Sequence, residues 1–159
     1  MTKEQLLKSI ISRLEQDQQI LFAAARAAHE AATHEECAPD NKYDTTALEA
    51  SYIAQGQANR AQEIRLALEA YRTLELKQFD EGTPIRLTAL VTLEDSDGQR
   101  RRVFLGPGAS GLKVACGTGE IVVITPQSPL GRNLLGKQAG DEVKSLDESG
   151  QCLVIEEVC

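Results

Sequence analysis

Tryptophan is absent from this chain of 159 residues, and only three phenylalanines and three tyrosines occur. No run approaches the roughly 20 consecutive apolar residues that a membrane span needs. The opening stretch MTKEQLLKSIISRLEQ mixes charge with apolar residues and lacks the uninterrupted apolar centre of a signal peptide. A cytoplasmic protein with no membrane association is expected. The four cysteines, Cys37, Cys116, Cys152 and Cys159, include no C-x-x-C pair, which argues against a zinc site. Cys116 and Cys152 are read as buried thiols on strands. His29 and His34 are five residues apart and do not share a helix face as i,i+4 ligands do, so a metal held by the protein alone is not expected. The net charge of -7 argues against naked nucleic acid as the main partner, because phosphate binding needs an excess of Lys and Arg.

Glycine is also missing from half of the chain. Only Gly56 of the 12 glycines precedes residue 80, and four of five prolines follow it. A helix-rich half therefore precedes a half rich in turns, with the junction at Phe79-Asp80-Glu81-Gly82-Thr83-Pro84. Both halves are acidic: residues 1–80 carry 9 basic and 13 acidic side chains (9 − 13 = −4), and residues 81–159 carry 8 and 11 (8 − 11 = −3).

In the first half, Leu7, Leu14, Leu21 and Ala28 recur every seven residues, with Ile10, Ile11, Ala24 and Ala25 between them. That is a coiled-coil stripe on a long helix. Pro39 stops it. A second helix is expected soon after, capped by Asp40 or Asn41 or by the box Thr46-Ala47-Leu48-Glu49. Its seam is Ala50, Ala54, Gln57, Ala61, Ile64, Leu68 and Tyr71. Alanine lines both helices near the bend, which predicts an antiparallel hairpin whose backbones approach closely there. Some 34 helical residues would span about 50 Å. The bend reads THEECAPDNKYDT, residues 33–45, with Glu35, Glu36, Asp40 and Asp44 against one Lys42. A finger so thin buries little, so core packing does not account for these acids.

The second half reads as β. Ile85 to Leu93 alternates up to the turn Asp95-Ser96-Asp97-Gly98, and Arg101 to Leu105 returns. Arg100-Arg101-Arg102 is read as a solvated hairpin flank or a contact to a partner. Glu120 to Ile124 is a buried strand. Ser128 is the N-cap and Pro129 the first residue of a short helix over Leu130 to Leu135, closed by Gly136. Asp141 to Leu146 and Gln151 to Val158 form a last hairpin through Glu148-Ser149-Gly150. The chain is expected to be α+β, with a coiled-coil finger over 1–80 and a small five-stranded domain over 83–159.

The stretch ITPQSPLGRNLLGKQAGDEV, Ile124 to Val143, resembles the C-terminal signature of the Gre family of bacterial transcript-cleavage factors, V-S-P-x-S-P-[LI]-[AG]-R-A-L-[LI]-G-K-x-x-G-D-x-V. Matches fall at Pro126, Ser128 to Arg132, Leu134 to Lys137, Gly140, Asp141 and Val143. The order of a helical hairpin followed by a small domain is also the family's. The resemblance implies that the second half has a fold like the FK506-binding protein. It implies a monomer that binds bacterial RNA polymerase, with the C-terminal domain docked at the rim of the secondary channel and the finger inside it. It implies polymerase contacts at Ser128, Pro129 and Leu130 and, at the tip, at Asn41 and Tyr43. It further implies that tip acids help hold a second Mg²⁺ in the polymerase's own active site, where cleavage of the 3′ end of backtracked RNA occurs. The chain itself would need no cofactor and would not be an enzyme.

The family's tip reads approximately D-L-S-E-N-A-E-Y-D, whereas Cys37 to Asp44 reads CAPDNKYD. Aligning the asparagine on Asn41 puts Asp40 at the motif's glutamate and Cys37 at its aspartate, and Tyr43 and Asp44 match after a one-residue deletion. Asp40 is therefore one acidic member of the pair, with Glu36, Glu35 or Asp44 as the other. Two activities stay open: stimulation of cleavage, and occupation of the channel without cleavage. A coiled-coil adaptor is a third class, opposed by the Ile124–Val143 stretch. A peptidyl-prolyl isomerase is opposed by the single aromatic after residue 80, Phe104.

Overall fold

The computed structural model describes residues 1–34, 46–145 and 150–159, with side chains described at 1–30, 52–145 and 150–159. Two long helices lead: α1 over Lys3–His34 and α2 over Thr46–Arg72. At 1.5 Å per residue the 32 residues of α1 span about 48 Å. The helices run antiparallel. Leu6, Ile10 and Leu14 of α1 are buried in one cluster with Ile64, Leu68 and Tyr71 of α2. Arg72 Nη2 reaches Glu15 Oε1 at 2.9 Å across the pair.

Burial on α2 follows the expected 4-3 seam from Gln57 through Ile64 and Leu68 to Tyr71. On α1 the buried line is Leu6, Ile10 and Leu14, while Leu7, Ile11 and Leu21 are only partly covered. The expected seven-residue stripe is thus displaced toward the four-residue row, because the base of α1 packs against a sheet as well as against α2. Farther out the expectation of close approach fails. Ala24, Ala25, Ala28 and Ala54 are exposed, and so is Ile53, which lies on the buried side of α2 by periodicity. Side chains as small as alanine cannot fill the space that Leu, Ile and Tyr set between the helices at the base.

Residues 73–89 form a connecting segment, and six strands follow: β1 Leu90–Glu94, β2 Arg100–Leu105, β3 Lys113–Cys116, β4 Gly119–Ile124, β5 Glu142–Lys144 and β6 Cys152–Val158, with α3 at Pro129–Leu134 between β4 and β5. Their order in one sheet is β3-β4-β2-β1-β6-β5. Most neighbours are antiparallel, but β2 and β4 are parallel. β3 makes this possible by carrying the chain back along the sheet edge before β4 begins.

The strand expected from Ile85 begins only at Leu90. Thr88 takes φ 76°, a left-handed conformation that a β-branched residue adopts at a cost. Its backbone N–H donates to Leu105 O at 2.8 Å, and its Oγ1 accepts from Lys77 N–H at 3.0 Å. These bonds turn the chain before β1. The β1–β2 turn forms as expected, with Asp95 Oδ1 accepting from the N–H groups of Asp97 and Gln99. β3 was not anticipated, and among the described residues six strands stand where five were expected. Cys116 and Cys152 do lie on strands but are half-buried and exposed, respectively: β3 is an outer strand, and Cys152 begins β6 beyond the stretch that pairs with β1.

The two faces of the sheet have different covers. Leu90, Phe104, Ile121 and Val123 face the hairpin base and share its core. Val91, Leu93, Val103, Leu105 and Ile155 face the other way, toward α3 and the segment from Phe79 to Ala89. Tyr71 sits at the junction. Its hydroxyl donates to Gly108 O at 2.8 Å, and a Cβ on Gly106 would lie 2.1 Å from that hydroxyl oxygen. Only glycine permits this approach. Burial pushes the Tyr71 phenol well above its ordinary range, so it remains a donor. Lys3 adds a second clasp. Its Nζ donates to Lys77 O at 2.5 Å and Cys159 O at 3.2 Å and lies 4.7 Å from the Phe79 ring centroid. Burial lowers the Lys3 ammonium pKa.

Candidate functional site

Ile124 to Val143 folds as one locally determined piece. Ile124 ends β4, and the chain turns so that Ser128 N–H donates to Thr125 O at 3.0 Å. Ser128 Oγ accepts from Gly131 N–H at 3.1 Å and donates to Thr125 O at 2.7 Å. A serine N-cap followed by proline in the first turn starts α3 as expected. A Cβ on Gly131 would lie 1.9 Å from Thr125 O, so the turn and helix touch backbone to backbone. Gly136, at φ 78°, ends the helix and donates to Ile85 O at 2.9 Å, while Ile85 N–H donates to Lys137 O at 2.8 Å. Asp141 Oδ2 accepts from Gln138 N–H at 2.8 Å, and Val143 is buried in β5.

The matched residues therefore divide by role. Ser128, Gly131, Leu134, Gly136, Asp141 and Val143 build the turn, the caps and the core. Pro129 is exposed, Leu130 is half-buried, and Leu135 is 40% exposed. Of the three expected contact residues here, Ser128 has its hydroxyl committed to the cap, and Pro129 and Leu130 present surface.

Leu130 also stands at the edge of a groove of about 600 Å³. The groove is floored by Leu93, Val103, Val122 and Leu153, and Arg101, Lys113 and Glu120 lie around it. The sequence pattern did not reveal Lys113 because β3 is only four residues long, whereas Val122 falls in the strand expected over Glu120 to Ile124. The available signal was the alternation of Lys113 to Cys116 followed by Gly117 and Thr118 before β4.

Arg100 to Arg102 do not act as one patch. Arg100 pairs with Glu156 at 2.6 Å and Glu94 at 3.8 Å. Arg102 Nη1 contacts Cys116 Sγ at 3.2 Å. Arg101 is exposed on the opposite face, opposite Leu93 in register.

The expected tip residues Glu35, Glu36, Asp40, Asn41, Tyr43 and Asp44 lie outside the described residues. Among the described residues, no group of three or more His, Cys, Asp and Glu side chains is arranged to hold a metal ion, and no helix is long and apolar enough to cross a membrane.

No protein-family model and no curated protein matches the chain. Solved structures do. The crystal structure of GreA factor homolog 1 (Gfh1) of Thermus thermophilus is similar at 21% identity and a TM-score of 0.39, covering 94% of each chain. Gfh1 of Thermus aquaticus is similar at 19% identity and a TM-score of 0.38, over 98% of this chain and 92% of that one. The prokaryotic transcription elongation factor GreA/GreB from Nitrosomonas europaea is similar at 20% identity and a TM-score of 0.37, over 60% of this chain and 78% of that one. At these scores the backbones do not superpose as whole molecules, and the α+β architecture stands on the elements described above.

Proposed function

We propose that the chain is a transcription elongation factor that binds bacterial RNA polymerase through the secondary channel and stimulates cleavage of backtracked RNA. The observation that carries this is the outer hairpin. Residues 22–30 and 52–56 are exposed throughout, so that length of helix contributes almost nothing to a core. It serves as a rod between the sheet domain and the acids beyond residue 34. The Ile124–Val143 signature supplies the partner.

In this reading Asp40 and Glu36 offer carboxylate oxygens toward the polymerase active site, with Glu35 and Asp44 as the alternative second acid. Hard oxygen donors are what Mg²⁺ takes, and such an ion, when bound, supplies an activated water for phosphodiester hydrolysis. Asn41 and Tyr43 contact the channel, and Ser128, Pro129 and Leu130 lie at its rim. The 3′ end of the nascent RNA is met indirectly, and the protein acts as a monomer.

A second reading is favoured by two features of the sequence at and before the tip. Cys37 stands where the family motif has aspartate, and no Lys or Arg occurs between Arg26 and Lys42. A factor with one well-placed carboxylate would occupy the channel and regulate the polymerase without cleavage.

Incubating the chain with a defined backtracked polymerase–RNA complex separates the two. Shortened RNA with the wild type, lost in Asp40→Ala or Glu36→Ala, establishes a cleavage factor. Absence of cleavage together with displacement of a known channel binder establishes the regulator. Failure to cleave or compete, with core polymerase not retrieved in a pull-down, rejects both and leaves the adaptor class.

A further inference from the structure

Gly56 stands in the interior of α2 and is the only glycine before residue 80. Such a glycine costs about 1 kcal/mol relative to alanine, and a close approach of another segment is the usual reason for it. Yet among the described residues a Cβ on Gly56 would meet nothing within 4 Å. The space beside it is open. The same flank of the hairpin carries Ile20 and Tyr52, 67% and 75% exposed. Helical spacing puts them there. The cleft at the hairpin base is lined by Arg13 and Asp17 of α1 and by Arg60 and Glu63 of α2. Steps of three and four continue the α1 row through Ile20, Ala24 and Ala27, and the α2 row through Gly56 and Tyr52. All five residues are exposed.

We infer that two copies of this chain pair, antiparallel, through this flank. Leu14 and Ile64 share the hairpin core, and ten residues farther out on each helix stand Ala24 and Ala54. A two-fold axis crossing the flank at that height sets the partner's Ala27 against Ile20 and the partner's Gly56 against Tyr52. Large side chains meet small ones at both places, and one axis satisfies both, as an isologous contact requires. The sheet domains then lie at opposite ends. Charge points to a second copy as well. Residues 18–29 and 52–59 carry one formal charge, Arg26, in a chain of net charge -7. Two copies of so acidic a chain repel each other least here. About ten residues of each helix take part, some 15 Å, so the pair is weak and reversible. On the function proposed above, a paired finger cannot serve as the rod, and the dimer is the idle form; the pairing itself does not depend on that reading.

Sedimentation velocity of the full chain over a hundredfold range of concentration tests this. The wild type should pass from monomer to dimer. Tyr52→Ala should weaken the dimer at least tenfold. Gly56→Leu separates fitted packing from mere stickiness. It adds apolar surface and helix propensity, so the variant should melt no lower than the wild type, and non-specific association would tighten. Packing against the partner's Tyr52 instead predicts that the dimer is lost. A monomer at every concentration, assembly beyond the dimer, or a dimer that Gly56→Leu leaves intact or tightens would overturn the assignment.

Discussion

Tyr71 shows how much one hydroxyl can decide. It is fully buried at the meeting point of the hairpin and the sheet, and its one hydrogen bond goes to Gly108 O. Replacing it with Phe keeps the ring against Gly106 and removes the bond, which should cost about 1 kcal/mol in urea unfolding. The pH dependence has a definite sign. The folded phenol titrates higher than the unfolded one, so the stabilisation is complete below about pH 10 and declines as pH rises above it. The Tyr71→Phe variant should lose less stability between about pH 9 and pH 11 than the wild type. Equal losses would mean that Tyr71 is not the titrating group. At α3, Ser128→Ala leaves the Gly131 N–H without its acceptor and should destabilise by about 1 kcal/mol, read from thermal melts. Leu130→Asp places a charge at the groove edge on a half-buried side chain. It is expected to weaken retrieval of core polymerase while the fold persists, and unchanged retrieval by a folded variant would remove Leu130 from the docking surface.

At the scale of the element, the two ends of the hairpin should respond differently to mutation. Leu14 is 2% exposed in the core shared with Ile64, so Leu14→Ala should cost about 2–5 kcal/mol. Ala24 and Ala28 are exposed, so Ala24→Ser and Ala28→Ser should each stay within about 0.5 kcal/mol of wild type. Circular dichroism melts at the helix minimum would compare them. A large loss from the outer substitutions would show that the alanine seam is closed in solution.

At the scale of the molecule, hairpin and sheet share one apolar cluster. Phe104 and Val123 of the sheet lie in it with Leu6, Ile10 and Tyr71. The division into 1–80 and 83–159 therefore describes chain order more than independent stability. Phe104→Ala should lower the unfolding of helix and sheet signals together, by about 3–5 kcal/mol in a single transition. Two separated transitions in the wild type would show that the halves fold on their own.

Local chemistry determined much of this protein from sequence alone. Seam periodicity and the scarcity of early glycine specify two long helices. Ser128, Pro129 and Gly136 specify α3 to within a residue, because caps and turns depend on neighbours a few positions away. Thr88, by contrast, ends a strand pattern through bonds to Lys77 and Leu105 that no window around it contains. The parallel pairing of β2 with β4, the core joining hairpin to sheet, and the groove between Lys113 and Arg101 were likewise decided only in three dimensions. They depend on contacts between segments distant in the chain, and periodicity records which face is apolar but not what will cover it.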